Sequence, residues 1–208
     1  MQQNVENATT QKENIDVVEW ASVYAETLLA PLGARWLHVQ GVVKRATCVS
    51  QAFDEKDRPY LIAAAYLHDI GYAPSLKRTG FHPLDGAYDM RTYGHERLAS
   101  LIAYHSEAQF EAHLRGYTQQ LDTFAREKSA LADALTYCDM TTSPTGCHIT
   151  FEERLADIFS RYGDGDIVAQ AINQAVPSLT LDITRTRYIL WEHGLVCDIS
   201  KQDQQNIS

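Results

Sequence analysis

Cysteine is scarce in this chain. Four occur in 208 residues, Cys48, Cys138, Cys147 and Cys197, and no two form a C-x-x-C pair. That scarcity excludes a structural thiolate zinc site and a disulfide framework, so all four read as reduced packing or surface thiols. Cys147-His148 reads as loop ahead of the next helix rather than as a metal pair. Long apolar runs are missing too: none approaches the roughly 18 residues that mark a bilayer-spanning helix, and the first residues are polar, with no apolar leader core. These absences predict a soluble cytoplasmic protein with no membrane partner. Basic residues are outnumbered, 18 Lys and Arg against 27 Asp and Glu, for a net charge of −9. A broad nucleic-acid-binding face needs clustered cations to neutralise phosphates, so a nucleic-acid polymer is excluded as partner and substrates are expected to be small. Strand-like alternation of useful length and internal repeats are also absent.

What remains is helical periodicity over a hydrophobic content of 45%. Apolar stripes at intervals of three and four predict helices over about 16–30, 35–53, 58–70, 83–93, 95–105, 107–115, 122–138, 151–161, 166–175 and 178–192. The expected fold class is all-α. The length suits one domain over residues 15–195. Residues 1–14, rich in Gln, Asn, Thr and Glu, are expected to be disordered, and 196–208 to form a flexible tail. Pro31-Leu32-Gly33 separates the first two helices, and Thr150-Phe151-Glu152-Glu153 has the spacing of a capping box.

Polar residues interrupt these stripes where the core should continue. Leu61, Ala64, Ala65 and His68 share one face, and Asp69 follows about 100° round the axis, just before Gly71 can end the helix. Taken alone, His68-Asp69 is also compatible with a core histidine held by its neighbouring carboxylate. Three further stripes behave alike. His38 continues the face of Ala34, Val42 and Ala46; His105 follows Leu98, Leu101 and Ile102; Asp139 follows Leu131, Leu135 and Thr136. A buried, uncompensated carboxylate costs several kcal/mol or more, whereas one divalent cation satisfies His38, His68, Asp69 and Asp139 together. Imidazoles with carboxylates suit a borderline or hard ion: Fe, Mn, Co, Ni, Zn or Mg.

With His38, then His68-Asp69, then Asp139, the chain resembles the HD-domain superfamily of metal-dependent phosphohydrolases over roughly residues 33–143. The resemblance implies an HD-type helical bundle with additional C-terminal helices, and it makes those four residues ligands of a first metal. Phe81-His82-Pro83-Leu84-Asp85-Gly86 and Ala103-Tyr104-His105 match the elements that two-metal members carry. By that resemblance His82 and His105 ligate a second ion and Asp69 bridges the two, so one or two ions are expected and Asp69, His82 and His105 are the catalytic candidates. The alternative reading of His82 is a helix-entry residue ahead of Pro83, that of His105 a supporting or proton-donating group, and Asp85 reads as a first-turn acid complementing the helix dipole.

Tyr72, Lys77 and Arg78, between the HD pair and His82, are the candidate contacts to a small phosphorylated substrate. The loop from Asp139 to Gly146 is expected at the rim of the site and reads first as a turn rich in Ser, Thr, Pro and Gly, with hydroxyls that bind phosphate oxygens as the alternative. Arg154, Arg185 and Arg187 read as ion-paired or surface residues that are also eligible as a phosphate clamp. The helices after residue 150 are assigned to core packing, to covering the pocket or to a homodimer contact, and the sequence does not choose among these. Some mononuclear HD nucleotidases carry acidic helpers shortly after the HD pair, where this chain has Tyr72 and Lys77. The leading expectation is a phosphatase or phosphodiesterase for a small phosphorylated metabolite such as a nucleotide. The alternatives are a mixed-valent di-iron oxygenase, because the six His and Asp residues also form that ligand set, and a non-catalytic nucleotide-binding module.

Overall fold

The computed structural model describes residues 17–163 and 165–197. Within them the backbone is helical between loops, with one isolated bridge from Thr142 to His148 and no strand, as the periodicity predicts. The segment expected to be disordered, 1–14, and residues 198–208 of the expected tail lie outside the described residues. In chain order α1 covers 17–29, α2 Ala34–Val49, α3 Arg58–Leu67, α4 His82–Thr92 and α5 Glu96–Tyr104. They are followed by α6 Gln109–Arg115, α7 Thr118–Leu121, α8 Ala130–Met140, α9 Phe151–Tyr162 and α10 Ile167–Glu192.

The core is where the apolar stripes meet. Val39, Val42, Ala46 and Val49 of α2 are buried with Leu61, Ala64 and Ala65 of α3. Leu98 and Ile102 of α5 and Leu131 and Leu135 of α8 complete the centre. Each buried Leu or Ile stabilises by about 1.5–3 kcal/mol relative to exposure, and none can leave its stripe without turning a neighbouring polar residue inward. Outside this centre, α10 packs along α8 and α6, and α9 contacts α10.

Three expectations are corrected. The helix predicted over 122–138 begins only at Ala130, because Ser129 caps it by accepting from the Ala132 N–H at 3.2 Å. The polar residues before it are committed elsewhere: Arg126 holds Glu107 at 2.6 Å, and Glu127 accepts two bonds from Arg97 at 2.9 Å each. The break expected between 175 and 178 does not occur, and α10 runs through Pro177. Proline removes one N–H from the ladder, but Ala171 and Ala175 before it and Leu179 and Ile183 after it are all buried and hold the helix together. Finally, Cys48 and Cys197 form a disulfide, with Cα atoms 5.9 Å apart. Their separation of 149 residues leaves no local signature; they meet only because the chain after α10 returns to α2, where Arg45 Nη1 donates to the Cys197 carbonyl at 3.3 Å. Val196 and Cys197 are therefore part of the folded structure. Disulfides persist in oxidising surroundings, so the thiol argument for a cytoplasmic location falls away. Cys138 is free and buried, Cys147 free and exposed.

Candidate metal centre

The helix α3 ends at Leu67, so His68 and Asp69 stand on the turn that follows it rather than inside the helix. Asp69 sits at φ −104°, ψ 5°, the bridge region that active-site residues often occupy. A short 3-10 turn, Ile70–Tyr72, then lies flat against the start of α4. Gly71 permits this. A Cβ there would stand 2.0 Å from the His82 carbonyl oxygen and 2.8 Å from the Gly86 nitrogen, so only glycine lets the two backbones approach this closely. Their contact carries His82 to Asp69, with Nε2 3.4 Å from Asp69 Oδ1. Across the site, Gly41 of α2 does the same for the loop after α8: a Cβ would lie 2.4 Å from the Gly146 oxygen.

Six side chains converge here. His38 Nε2 is 3.0 Å from Asp139 Oδ1 and 3.9 Å from Asp69 Oδ2. His68 Nε2 is 3.4 Å from Asp69 Oδ2, and His82 Nε2 is 3.3 Å from His105 Nε2. One ligand atom each from His38, His68 and Asp69 fall within 4.8 Å of one another, and so do one each from Asp69, His82 and His105. Either trio can hold a metal ion, and Asp69 belongs to both. Asp139 joins neither trio but meets His38, and its other oxygen accepts from Ser106 Oγ at 2.5 Å. Ser106 and Glu107 both carry positive φ, 50° and 59°, a conformation non-glycine residues adopt at a cost of about 1–3 kcal/mol each, and here it turns Ser106 toward Asp139.

The imidazole tautomers sharpen the picture. His38 Nδ1 lies 3.0 Å from the Ser143 carbonyl, His68 Nδ1 2.8 Å from that of Ala65, and His105 Nδ1 2.7 Å from that of Ile102. A carbonyl only accepts, so each Nδ1 must carry a proton, and Nε2 is the atom left facing the site, able to ligate an ion whenever the ring is neutral. For His68 that Nε2 is buried with no hydrogen-bond partner, 3.4 Å from Asp69 Oδ2; burial works against the charged ring, but the Asp69 and Asp139 carboxylates outweigh it and raise the His68 pKa. A cation among these Nε2 atoms and the two carboxylates would displace any Nε2 proton and take up the lone pairs. This is the arrangement by which protein carbonyls orient metal-ligating histidines.

Electrostatics agree. Burial alone would raise the Asp69 carboxyl, but His68 and Arg35 override it and hold Asp69 well below the usual carboxylate range. Burial is likewise overridden at Asp139, chiefly by its bond to His38 with further help from His68 and Arg154. Burial pushes His82 down against the opposing Asp69 charge, and pushes His105 down with help from His68, so both rings are neutral and able to ligate near pH 7.

The centre opens into a cavity of about 350 Å³. Tyr72 lines it, its ring stacked on His82 at 4.1 Å and capped by the Arg35 guanidinium at 3.9 Å. Lys77 and Arg78, the other two candidate substrate contacts, do not line it. Their loop is pulled away by Asp85, which is fully buried and accepts from the Thr79 N–H and hydroxyl at 2.8 Å and the Gly80 N–H at 3.0 Å. Arg78 ends over the Tyr88 ring at 5.8 Å. The cavity's cations are instead Arg35, Arg154 and Arg161. Arg35 went unnoticed in the sequence, although its position three residues before His38 puts it on the same helix face; its Nη1 donates to Asp69 Oδ2 at 2.7 Å. Arg185 faces Asp133 at 3.6 Å on the surface, away from this cavity.

The HD domain profile matches residues 35–140, about half of the chain, and the matched span contains all six converging residues. This protein belongs to the HD domain family. Neither a curated protein nor a solved structure matches the chain.

Proposed function

We propose that this chain is a metal-dependent phosphohydrolase that cleaves a small phosphate ester, of which a nucleotide is the leading candidate. The observation that carries the reading is the set of imidazoles whose Nδ1 protons are committed to backbone carbonyls while their Nε2 atoms face Asp69, Asp139 and one another. His38, His68, Asp69 and Asp139 are the residues for one ion, and Asp69, His82 and His105 for a second. A bound divalent cation supplies a water of lowered pKa and a positive field for the phosphoryl oxygens.

The chain's own groups do the rest. Asp69, ionised throughout the neutral range, is placed to accept a proton from the attacking water. Neutral His82 and His105 can each give a ring nitrogen to an ion, and His105 Nε2 already carries a lone pair because its Nδ1 proton is committed to the Ile102 carbonyl. Arg35, pinned between Asp69 and the Tyr72 ring, contributes positive charge on the phosphoryl side. Tyr72 is kept as a protonated phenol, first by burial and then by the Asp69 charge, and so can donate to a phosphate oxygen. The cavity volume favours a substrate no larger than a mononucleotide over a polymer.

The same six residues suit a di-iron oxygenase, so the deciding experiment removes oxygen. Anaerobic protein loaded with Mn or Co is expected to release inorganic phosphate from at least one member of a panel of nucleotides, cyclic nucleotides and sugar phosphates. No release across the panel, together with oxygen consumption by iron-loaded protein on a phosphonate or polyol, would overturn it.

A further inference from the structure

Helix α9 and the start of α10 lie beyond the span matched by the family profile, yet they supply a large part of the cavity wall: Arg154, Ile158, Arg161, Tyr162, Val168 and Ile172. Among these Arg154 is chemically out of place. It is 7% exposed, and its Nε is buried with no hydrogen-bond partner. Its Nη1 reaches Asp157 only at 3.4 Å, and Asp157 is better bonded to Arg161 at 2.8 Å. Its Nη2 lies 3.5 Å from Asp139 Oδ1, an oxygen already engaged by His38 at 3.0 Å. By contrast Arg35 holds its carboxylate at 2.7 Å, and Arg97 binds two acids at 2.7 to 2.9 Å. Burying a guanidinium with only long contacts costs several kcal/mol, and its five donors fit two oxygens of a phosphate side by side.

We propose that Arg154 is the substrate's phosphoryl-anchoring residue and that α9 is a cap that closes the HD site over a compact phosphate monoester. The proposal rests on the phosphohydrolase reading above. The cap is held rigidly at its start: Thr150 Oγ1 accepts from the Glu153 N–H at 3.1 Å, and Glu153 Oε2 accepts from the Thr150 N–H at 2.7 Å, so Arg154, one residue on, is fixed in its first turn. Beyond the guanidinium the wall turns apolar with Ile158, Val168 and Ile172, which suits an uncharged organic body attached to the phosphoryl group.

Calorimetric titration of inorganic phosphate into the Mn-loaded full chain tests this, with metal content measured alongside. Wild type should bind phosphate. Arg154→Met should bind about tenfold or more weakly at unchanged metal content, the loss expected for removing a charge-assisted bidentate contact. Arg154→Lys, which retains the charge without the planar fork, should fall between the two and also serves if the Met variant folds poorly. Wild-type phosphate affinity in both variants overturns the proposal while leaving the hydrolase reading standing. Loss of metal in both reassigns Arg154 to holding Asp139, and so overturns it as well. A wild type that neither binds phosphate nor releases it from any ester sinks both readings together.

Discussion

The segment from 35 to 140 and the helices that follow it build one cavity by different rules. The first contributes chemistry, with every His and Asp of the centre on α2, on the turns after α3 and α5, or on α4 and α8. The second contributes shape and positive charge through Arg154, Arg161 and an apolar wall. Ligand chemistry demands particular residue types aimed at one point, so it leaves a pattern in the sequence. Shape demands only that something of the right size reach the pocket, and many residues satisfy it. Substrate choice is therefore expected to reside in the helices that carry no ligand.

The comparison is easiest to break at Asp69, the one residue common to both ligand trios. Asp69→Ala should abolish bound metal and reduce turnover by at least about a thousandfold, the scale associated with losing the principal electrostatic stabilisation. Metal analysis and a phosphate-release assay check this; full metal content with normal rate would remove the centre from the reaction. A smaller effect separates the two trios. His82→Ala and His105→Ala should each lower occupancy from two ions per chain to one while leaving the fold intact, because His38, His68 and Asp139 are untouched. Two ions retained in both variants would show that the second trio is not a site.

Next in size is the backbone contact that joins the halves of the ligand set. Gly71→Ala places a methyl 2.0 Å from the His82 carbonyl oxygen, so the 3-10 turn and α4 must separate. The expected cost is about 1–3 kcal/mol, as for other overpacked sites, with weaker metal retention as His82 withdraws from Asp69. Denaturant unfolding with and without metal measures both, and an unchanged midpoint would contradict the close approach.

The smallest effect lies outside the centre. Asp182 of α10 is buried near Glu107 and Asp133, and burial followed by these charges pushes its carboxyl up to about 7, despite Arg185 and Arg126 nearby. A carboxyl raised in the folded state favours the protonated form, so stability is lost as pH rises from about 4 through 7. Asp182→Asn should remove that loss and raise Tm at pH 8 by roughly 2–4 °C, the shift that about 1 kcal/mol gives at this size, with little change at pH 4. Equal shifts at both pH values would place the effect in packing rather than ionisation.

The stripes that predicted the helices also located the centre. His38, His68, His105 and Asp139 are buried where periodicity put them, because a 3.6-residue repeat fixes which face turns inward whatever residue occupies it. Fine detail was less legible. His68-Asp69 reads as helical, yet α3 stops one residue earlier, since the turn answers to the Gly71–His82 contact and that partner is distant in sequence. Lys77 and Arg78 look like phosphate contacts by proximity to the HD pair, but the hydrogen bonds that Asp85 makes to Thr79 and Gly80 direct their loop elsewhere. In the sequence Arg154 is one of three arginines eligible as a phosphate clamp and reads first as an ion-paired or surface residue; its burial and its unpartnered Nε set it apart from Arg185. The Cys48–Cys197 bond was invisible for the same reason: long-range pairing has no local spacing to read.

Asp69, by its place in both trios, is expected to join two cation sites in one centre. Crystals of the full chain grown with Mn, and diffraction data collected to reveal anomalous scatterers, test it most directly. One peak is expected between His38, His68 and Asp69 and a second between Asp69, His82 and His105. A map with no peak beside Asp69, while Mn appears elsewhere on the protein, would contradict it.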